Sequence, residues 1–216
     1  MRPVEFFCSA GPESAPPDVL RRAMRRVDFD DTPLADETVS ALEAVAKDAP
    51  ASVRLVRDEA ERAAVAEFVA EGDRLLFADP AYRFRIGARW RPDAPGEEAT
   101  DDALLPMPDL FPGLGSFWVS AFDLGDLQAR RDFRLAARAP LLVVVSGEET
   151  SAGRQTVLET TRRLVHAAEA EGLSASFFNQ PILVPELRRR LVDRLGLPAS
   201  PQALLGVGTV RSVPGP

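Results

Sequence analysis

Apolar residues recur at helical spacing along six stretches of the chain. In the first stretch, the apolar positions between Val19 and Val27 share one face of a helix. Asp58 and Glu61 have the spacing of a capping box, and Gly172 and Gly196 follow the last periodic positions of two later stretches. The predicted helices cover residues 18–27, 36–48, 58–76, 80–86, 151–171 and 185–195.

Short apolar runs between these helices predict strands. The longest uninterrupted run, Ala139 to Val145, is far shorter than the ~20 residues that span a bilayer, so it predicts a buried strand. The predicted strands cover residues 52–56, 141–145, 173–178 and 203–207. Together with the helices, they indicate a mixed chain of helices and strands in which helices are more numerous.

Two proline-rich stretches lack this periodicity. Residues 1–17 predict an irregular N-terminal arm, and residues 92–118 predict a long loop or lid inside a single domain that covers residues 18–216. The loop contains Met107, Phe111, Phe117 and Trp118, which either line a substrate pocket or belong to the core; the sequence leaves both interpretations open.

The composition excludes several function classes. The chain has 216 residues, one His, one Cys and a net charge of −7, which argues against a multi-His or Cys-rich metal site and against nonspecific nucleic-acid binding. Lys47 is the only lysine, and no phosphate-binding loop of the Walker type surrounds it. The first residues include Glu5 and lack an apolar core, so we expect a cytoplasmic protein without a secretory signal or membrane span.

Few residues belong to a local sequence motif that is typical of a catalytic site. His166 falls opposite the apolar face of its helix, so we expect it to face solvent. Cys8 lies in the arm with no adjacent base, and the acidic residues between 97 and 102 favour a solvated loop over a metal site. The Gly-x-Gly pairs at 113–115 and 206–208 are interpreted as turns.

A basic helix face precedes Phe29. It consists of Arg21, Arg22, Arg25 and Arg26. Four guanidinium groups on one face can bind a phosphate, but the same face can also be a solvated surface that nearby aspartates neutralise. The acidic residues that would do so are Asp28, Asp30 and Asp31.

The C-terminal half resembles the nitroreductase superfamily, and more narrowly the C-terminal half of its Acg-type flavin-binding members. The resemblance covers residues 18–216. Its motifs are the run 139–146, Gly153-x-Gln155-x-Val157-Leu158, the run 171–181, Glu186-Leu187-Arg188, Pro201-Gln202 and Gly206-Val207-Gly208, with the runs 25–34 and 79–83 and Trp90 upstream.

This resemblance implies an α+β fold with a central, mostly antiparallel sheet flanked by helices. It also implies FMN held at the interface of a homodimer or of a heteromer with a related chain. The flavin would carry a hydride from NAD(P)H to a small-molecule acceptor, and no side-chain acid, base or nucleophile is required. The resemblance implies neither a catalytic residue nor a metal ligand.

The implied cofactor-binding residues are Arg25, Arg26, Ser176 and Arg211. Arg25 and Arg26 match the arginine-rich motif that contacts the FMN phosphate and ribityl chain, although Val27 and Asp28 replace the expected residues before the phenylalanine. Ser176 lies in the segment expected against the flavin ring, and Arg211 is the candidate for a second phosphate contact.

The departures leave alternatives open. The family's Ala-Pro-Ser-x-x-Asn-x-Gln-Pro-Trp flavin segment is absent, since a strand directly follows Ser52. The protein is therefore either an FMN-dependent NAD(P)H oxidoreductase, or a flavin-poor family member that acts as a binding partner or sequesters flavin.

Overall fold

The computed structural model describes residues 18–30, 32–87 and 121–211. The helices are α1 (Asp18–Ala23), α2 (Asp36–Lys47), α3 (Glu59–Ala78), α4 (Pro80–Gly87), α5 (Gly125–Arg138), α6 (Ser151–Ala170), α7 (Gln180–Leu183) and α8 (Pro185–Leu195). The strands are β1 (Ser52–Val56), β2 (Leu141–Gly147), β3 (Ser174–Phe177) and β4 (Ser200–Gly208). The predicted arm at 1–17, with Cys8, and the predicted loop at 92–118 lie outside the described residues.

The four strands form one antiparallel sheet in the order β1-β2-β4-β3. Alternate strand residues point to opposite faces, and helices cover both. On one face α1, α2 and α6 cover a core that includes Val143 and Leu205. On the other, α3, α5, α7 and α8 cover a core that includes Val144 and Leu204. The predicted α+β class, with its helix-flanked antiparallel sheet, is confirmed.

Most predicted elements occur near their predicted bounds, because the apolar positions that predicted them are the positions that pack into the core. The first helix is an exception, since it ends at Ala23 and not at Val27. The amides of Met24 and Arg25 bond back only three residues, at 3.1 Å each, which is a tightened last turn. Arg25 and Arg26 therefore lie beyond the helix, and the predicted four-arginine helix face does not exist.

The interpretation of residues 206–208 as a turn is wrong. Both glycines lie in β4, and their role is steric. A Cβ on Gly206 would lie 2.7 Å from the Phe178 ring, and one on Gly208 would lie 2.6 Å from Pro140. Aromatic and proline rings thus pack directly on the β4 backbone.

The sequence pattern missed α5. Every position of its buried face is glycine, alanine or polar: Gly125, Gln128, Ala129, Asp132 and Ala136. The larger apolar side chains of the helix, Phe133 and Leu135, are only partly buried against the core, so few large apolar positions mark the buried face in the sequence. The four-residue α7 was also missed, since it makes only about one helical turn and an apolar period cannot repeat within it.

Candidate functional site

The structure joins the two chain segments that carry the candidate arginines. Phe29 forms an antiparallel bridge with Val210 beyond the end of β4. The Arg211 amide donates to the Asp28 carbonyl oxygen at 2.9 Å. Arg211 is thereby held next to the segment that directly follows Arg25.

Ser176 ties the same segment to β3. Its side chain is fully buried, and its hydroxyl donates to the Arg25 carbonyl oxygen at 2.8 Å. The hydroxyl therefore fixes the backbone of Arg25, whose side chain is exposed.

Arg26 points in the opposite direction, into the protein. Its Nε and Nη2 lie 3.0 and 2.8 Å from Oδ2 of Asp132, and its Nη1 donates to the Phe177 carbonyl oxygen. Its guanidinium carbon lies 5.2 Å from the centre of the Phe178 ring, within cation–π range. Only 13% of the Arg26 side chain is exposed, and each of its three guanidinium nitrogens contacts a protein oxygen.

The charges around Arg25 and Arg211 are mixed. Asp28 pairs with Arg138 at 3.1 Å. Hydrogen bonds from Thr32 lower the pKa of Asp30, and the charge of Arg211 lowers it further. Arg25 and Arg211 thus remain the exposed cations of this junction, with one carboxylate close to Arg211.

Beneath the junction lies a buried polar cluster that sequence reasoning did not find. Asp132 accepts from Gln128 at 3.1 Å and from Gln180, in addition to Arg26. Burial, and then the charge of Asp132, raise the pKa of Asp73 well above its ordinary value. The four-residue spacing of Gln128 and Asp132 on a helix was the only local signal for this cluster.

A cleft of about 410 Å³ opens at the other end of the sheet. The chain between α2 and β1, the end of β2 and the chain between α8 and β4 line it, with Lys47 and Arg54 among its residues. Its size is within the range of small-molecule sites. Because β4 has nine residues, the cleft and the arginine junction lie roughly 25 Å apart in one copy.

The sequence also raised the questions of a catalytic histidine, a metal site and a membrane span. The side chain of His166 is 52% exposed, as expected from its helical phase. Within the described residues, no cluster of His, Cys, Asp and Glu could hold a metal ion. None of the described helices is both long and apolar enough to cross a membrane.

No protein-family model and no curated protein matches the sequence. The structure does match solved structures over most of their length. Iodotyrosine deiodinase bound to FMN and 3-iodo-L-tyrosine aligns with a TM-score of 0.53 at 16% identity, covering 92% of this chain and 91% of that one.

Two nitroreductases with bound FMN align similarly. The protein from Bacteroides fragilis has a TM-score of 0.51 at 13% identity, with 92% of this chain and 91% of that chain covered. The protein from Desulfitobacterium hafniense has a TM-score of 0.50 at 12% identity, with 92% and 90% covered. The chain therefore has the nitroreductase fold, as the sequence resemblance implied, while the Acg-type assignment within that fold stays a prediction.

Proposed function

We propose that this protein is an FMN-dependent oxidoreductase of the nitroreductase type. It passes a hydride from NADH or NADPH, through the flavin, to a small electron acceptor. The observation that carries the proposal is the pair of exposed arginines, Arg25 and Arg211, on two segments joined by backbone hydrogen bonds within a nitroreductase fold. The FMN named with the solved structures above supports the choice of cofactor.

The junction fits the phosphate end of FMN through two of its four candidate residues. Arg25 and Arg211 are exposed and can each donate charge-assisted hydrogen bonds to a phosphate. Arg26 and Ser176 already bond to protein groups, so in this proposal they hold the Arg25 segment in position. When bound, FMN supplies the hydride chemistry, and the residues of the chain bind and orient it.

We also propose that the working unit contains two chains, either two copies or one copy with a related chain. The support is the exposure of Arg25 and Arg211, because FMN bound to them in a single copy would lie open to solvent unless a second chain covers it. Because NADH and NADPH are supplied inside the cell, this proposal includes a cytoplasmic location.

A second candidate function is a partner protein that keeps the fold but does not hold flavin. The commitment of Arg26 to Asp132 favours it, because one arginine of the expected phosphate motif is then not offered to a ligand. The two candidates differ in whether Arg25 and Arg211 affect flavin affinity.

The test compares the binding of FMN and riboflavin, which differ only in the phosphate, by quenching of flavin fluorescence. Arg25→Ala and Arg211→Ala should each weaken FMN binding roughly ten- to a hundredfold and leave riboflavin binding nearly unchanged. Arg130→Ala removes an equally exposed arginine from α5 and should change neither.

Further readouts separate the candidates. A functional oxidoreductase is yellow as purified and oxidises NAD(P)H when a nitroaromatic acceptor is present. Protein that stays colourless after incubation with FMN would contradict the proposal and support the partner function. Equal losses of FMN and riboflavin binding would contradict the assigned role of the two arginines.

A further inference from the structure

Helices α3, α5 and α7 meet at a buried cluster in which the described part of the chain places two carboxyl groups and one guanidinium. Asp73 on α3 is 2% exposed and Asp132 on α5 is completely buried. Arg26 is the cation of the cluster, and Gln180 of α7 lies against both acids. The contacts of this cluster involve no flavin, so its properties are independent of the proposed function.

Asp132 receives nearly all of the donors. The Nε of Arg26 and the Gln180 amide donate to its Oδ2, and the Gln128 amide donates to its Oδ1 at 3.1 Å. The Nη2 of Arg26 also lies 2.8 Å from Oδ2, so Asp132 is both hydrogen-bonded and ion-paired. Asp132 therefore carries the negative charge that balances Arg26.

Asp73 has no cation of its own. Its chain neighbour Arg74 points outward and pairs with Asp126 at 3.1 Å, where the Asp126 side chain is 80% exposed. Within the described residues, no donor contacts Oδ2 of Asp73. Two carboxylates that share a buried site with a single cation do not both ionise, so the second one keeps its proton.

The charged and titratable groups around Asp73 come from each element packed there. They are Asp132 on α5, Arg26 beyond α1 and Arg74 on α3 itself. Tyr82 on α4 acts on Arg26, and α7 contributes Gln180, which does not titrate. The charges of Asp132 and of Arg26 oppose each other at Asp73, while burial favours its neutral form.

We propose that Asp73 is a neutral carboxylic acid in the folded protein near neutral pH, and that loss of this buried proton loosens α7 from α3. The Asp73 proton makes the junction of α3, α5 and α7 sensitive to alkaline pH. Protonated, the cluster holds one negative and one positive charge; deprotonated, it holds an uncompensated negative charge.

The packing between α3 and α7 is tight at this junction. A Cβ on Gly72 would lie 2.8 Å from the carbonyl carbon of Gln180, so the backbones of α3 and α7 are already in contact. The residue before α7, Asn179, accepts the Leu204 amide of β4 at 2.8 Å. Because Gln180 of α7 lies against Asp73, the proposal places the response to a second negative charge in a movement of α7 away from α3, which strains this bond.

The test measures the melting temperature of the full chain across pH. Folding raises the pKa of Asp73, so the stability that its proton contributes is complete below the pKa of an unfolded aspartate and is lost as the pH rises. The wild-type melting temperature should fall by roughly 5–10 °C between about pH 5 and about pH 8. In Asp73→Asn, whose amide is neutral at every pH, this fall should be at most half as large.

Apart from Asp73, the two proteins have the same titratable groups, so the contributions of those groups cancel in the comparison. Asp132→Asn is the matched control: it removes the carboxylate that accepts from Arg26, Gln128 and Gln180 and should lower the melting temperature at every pH. The proposal is overturned if the difference between wild type and Asp73→Asn does not change with pH, or if Asp73→Asn is as damaging as Asp132→Asn.

A second measurement does not depend on the folding of a variant. Infrared spectra of the wild-type protein at neutral pH should contain the carbonyl stretch of a buried carboxylic acid, and this band should disappear at alkaline pH. The protection factor of the Leu204 amide, which corrects for the faster intrinsic exchange at higher pH, should fall over the same pH range. A wild-type spectrum without the carboxylic acid band at neutral pH would refute the proposal directly.

Discussion

Glycines in this protein serve two different physical needs. Gly206 lies in extended backbone that any residue could adopt, but the rings of Phe178 and Phe29 occupy the space that a side chain needs. Gly172 has open space around it, but its φ of +73° lies in the left-handed region. The first glycine is required by packing and the second by backbone conformation.

This difference is testable by substitution. Gly206→Ala should lower the free energy of unfolding by about 1–3 kcal/mol through overpacking. Gly172→Ala should lower it by about 1 kcal/mol through its backbone conformation. Gly172→Asn should recover part of its loss, since asparagine tolerates the left-handed region, whereas Gly206→Asn should be worse than Gly206→Ala. Urea denaturation measures all four, and an asparagine rescue at position 206 would contradict the packing explanation.

Two helices of this chain begin at a side chain that accepts a hydrogen bond from a backbone amide of the first turn. Asp58 accepts the Glu61 amide at 2.9 Å at the start of α3, and Thr150 accepts the Gly153 amide at 3.0 Å at the start of α6. Ala35, which precedes α2, provides no such side-chain bond. Such bonds depend on neighbours within one turn, which is why the Asp58 capping box was visible in the sequence.

We expect Asp58→Ala and Thr150→Ala each to lower the free energy of unfolding by about 1 kcal/mol. Thr150→Ser should retain most of the stability because it keeps the hydroxyl acceptor. Ala35→Ser is the reciprocal change and should raise stability by about 0.5–1 kcal/mol, since it adds a cap where none exists. Thermal or urea denaturation checks these values, and equal losses for Thr150→Ser and Thr150→Ala would exclude capping as the cause.

At the scale of the whole molecule, the sheet is enclosed by helices on both faces, and β2 and β4 are its two inner strands. Residues 141–145 and 203–205 are almost completely buried. By contrast, α4 packs on α3, its only buried residue is Gly87, and Phe84 is 69% exposed. Stability is therefore concentrated in the centre of the sheet.

Native-state hydrogen exchange should reproduce this gradient. At about pH 5, where Asp73 keeps its proton, the amides of β2 and β4 should exchange only through global unfolding, with an opening free energy equal to that from urea denaturation. The amides of α4 should exchange through local opening, at least tenfold faster. Slowest exchange in α4, or fast exchange in Val144, would show that the stable unit is not the sheet described here.

Amphipathic helices, apolar strands and the capping box could be read from the sequence, because their signals arise from residues a few positions apart. The motifs of the C-terminal half also indicated the fold. The inward turn of Arg26 could not be predicted, since its partner Asp132 is 106 positions away. Part of the buried face of α5 was unpredictable for the same reason: Asp132 is polar, and Arg26 and Gln180 from other elements supply most of the partners that make its burial favourable.

The pairing of the Arg25 and Arg211 segments likewise depends on the sheet, which places Phe29 opposite Val210. Local periodicity indicates which apolar residues are buried. Which polar groups are buried together is set by long-range packing, because each such group is tolerated only where a distant partner meets it.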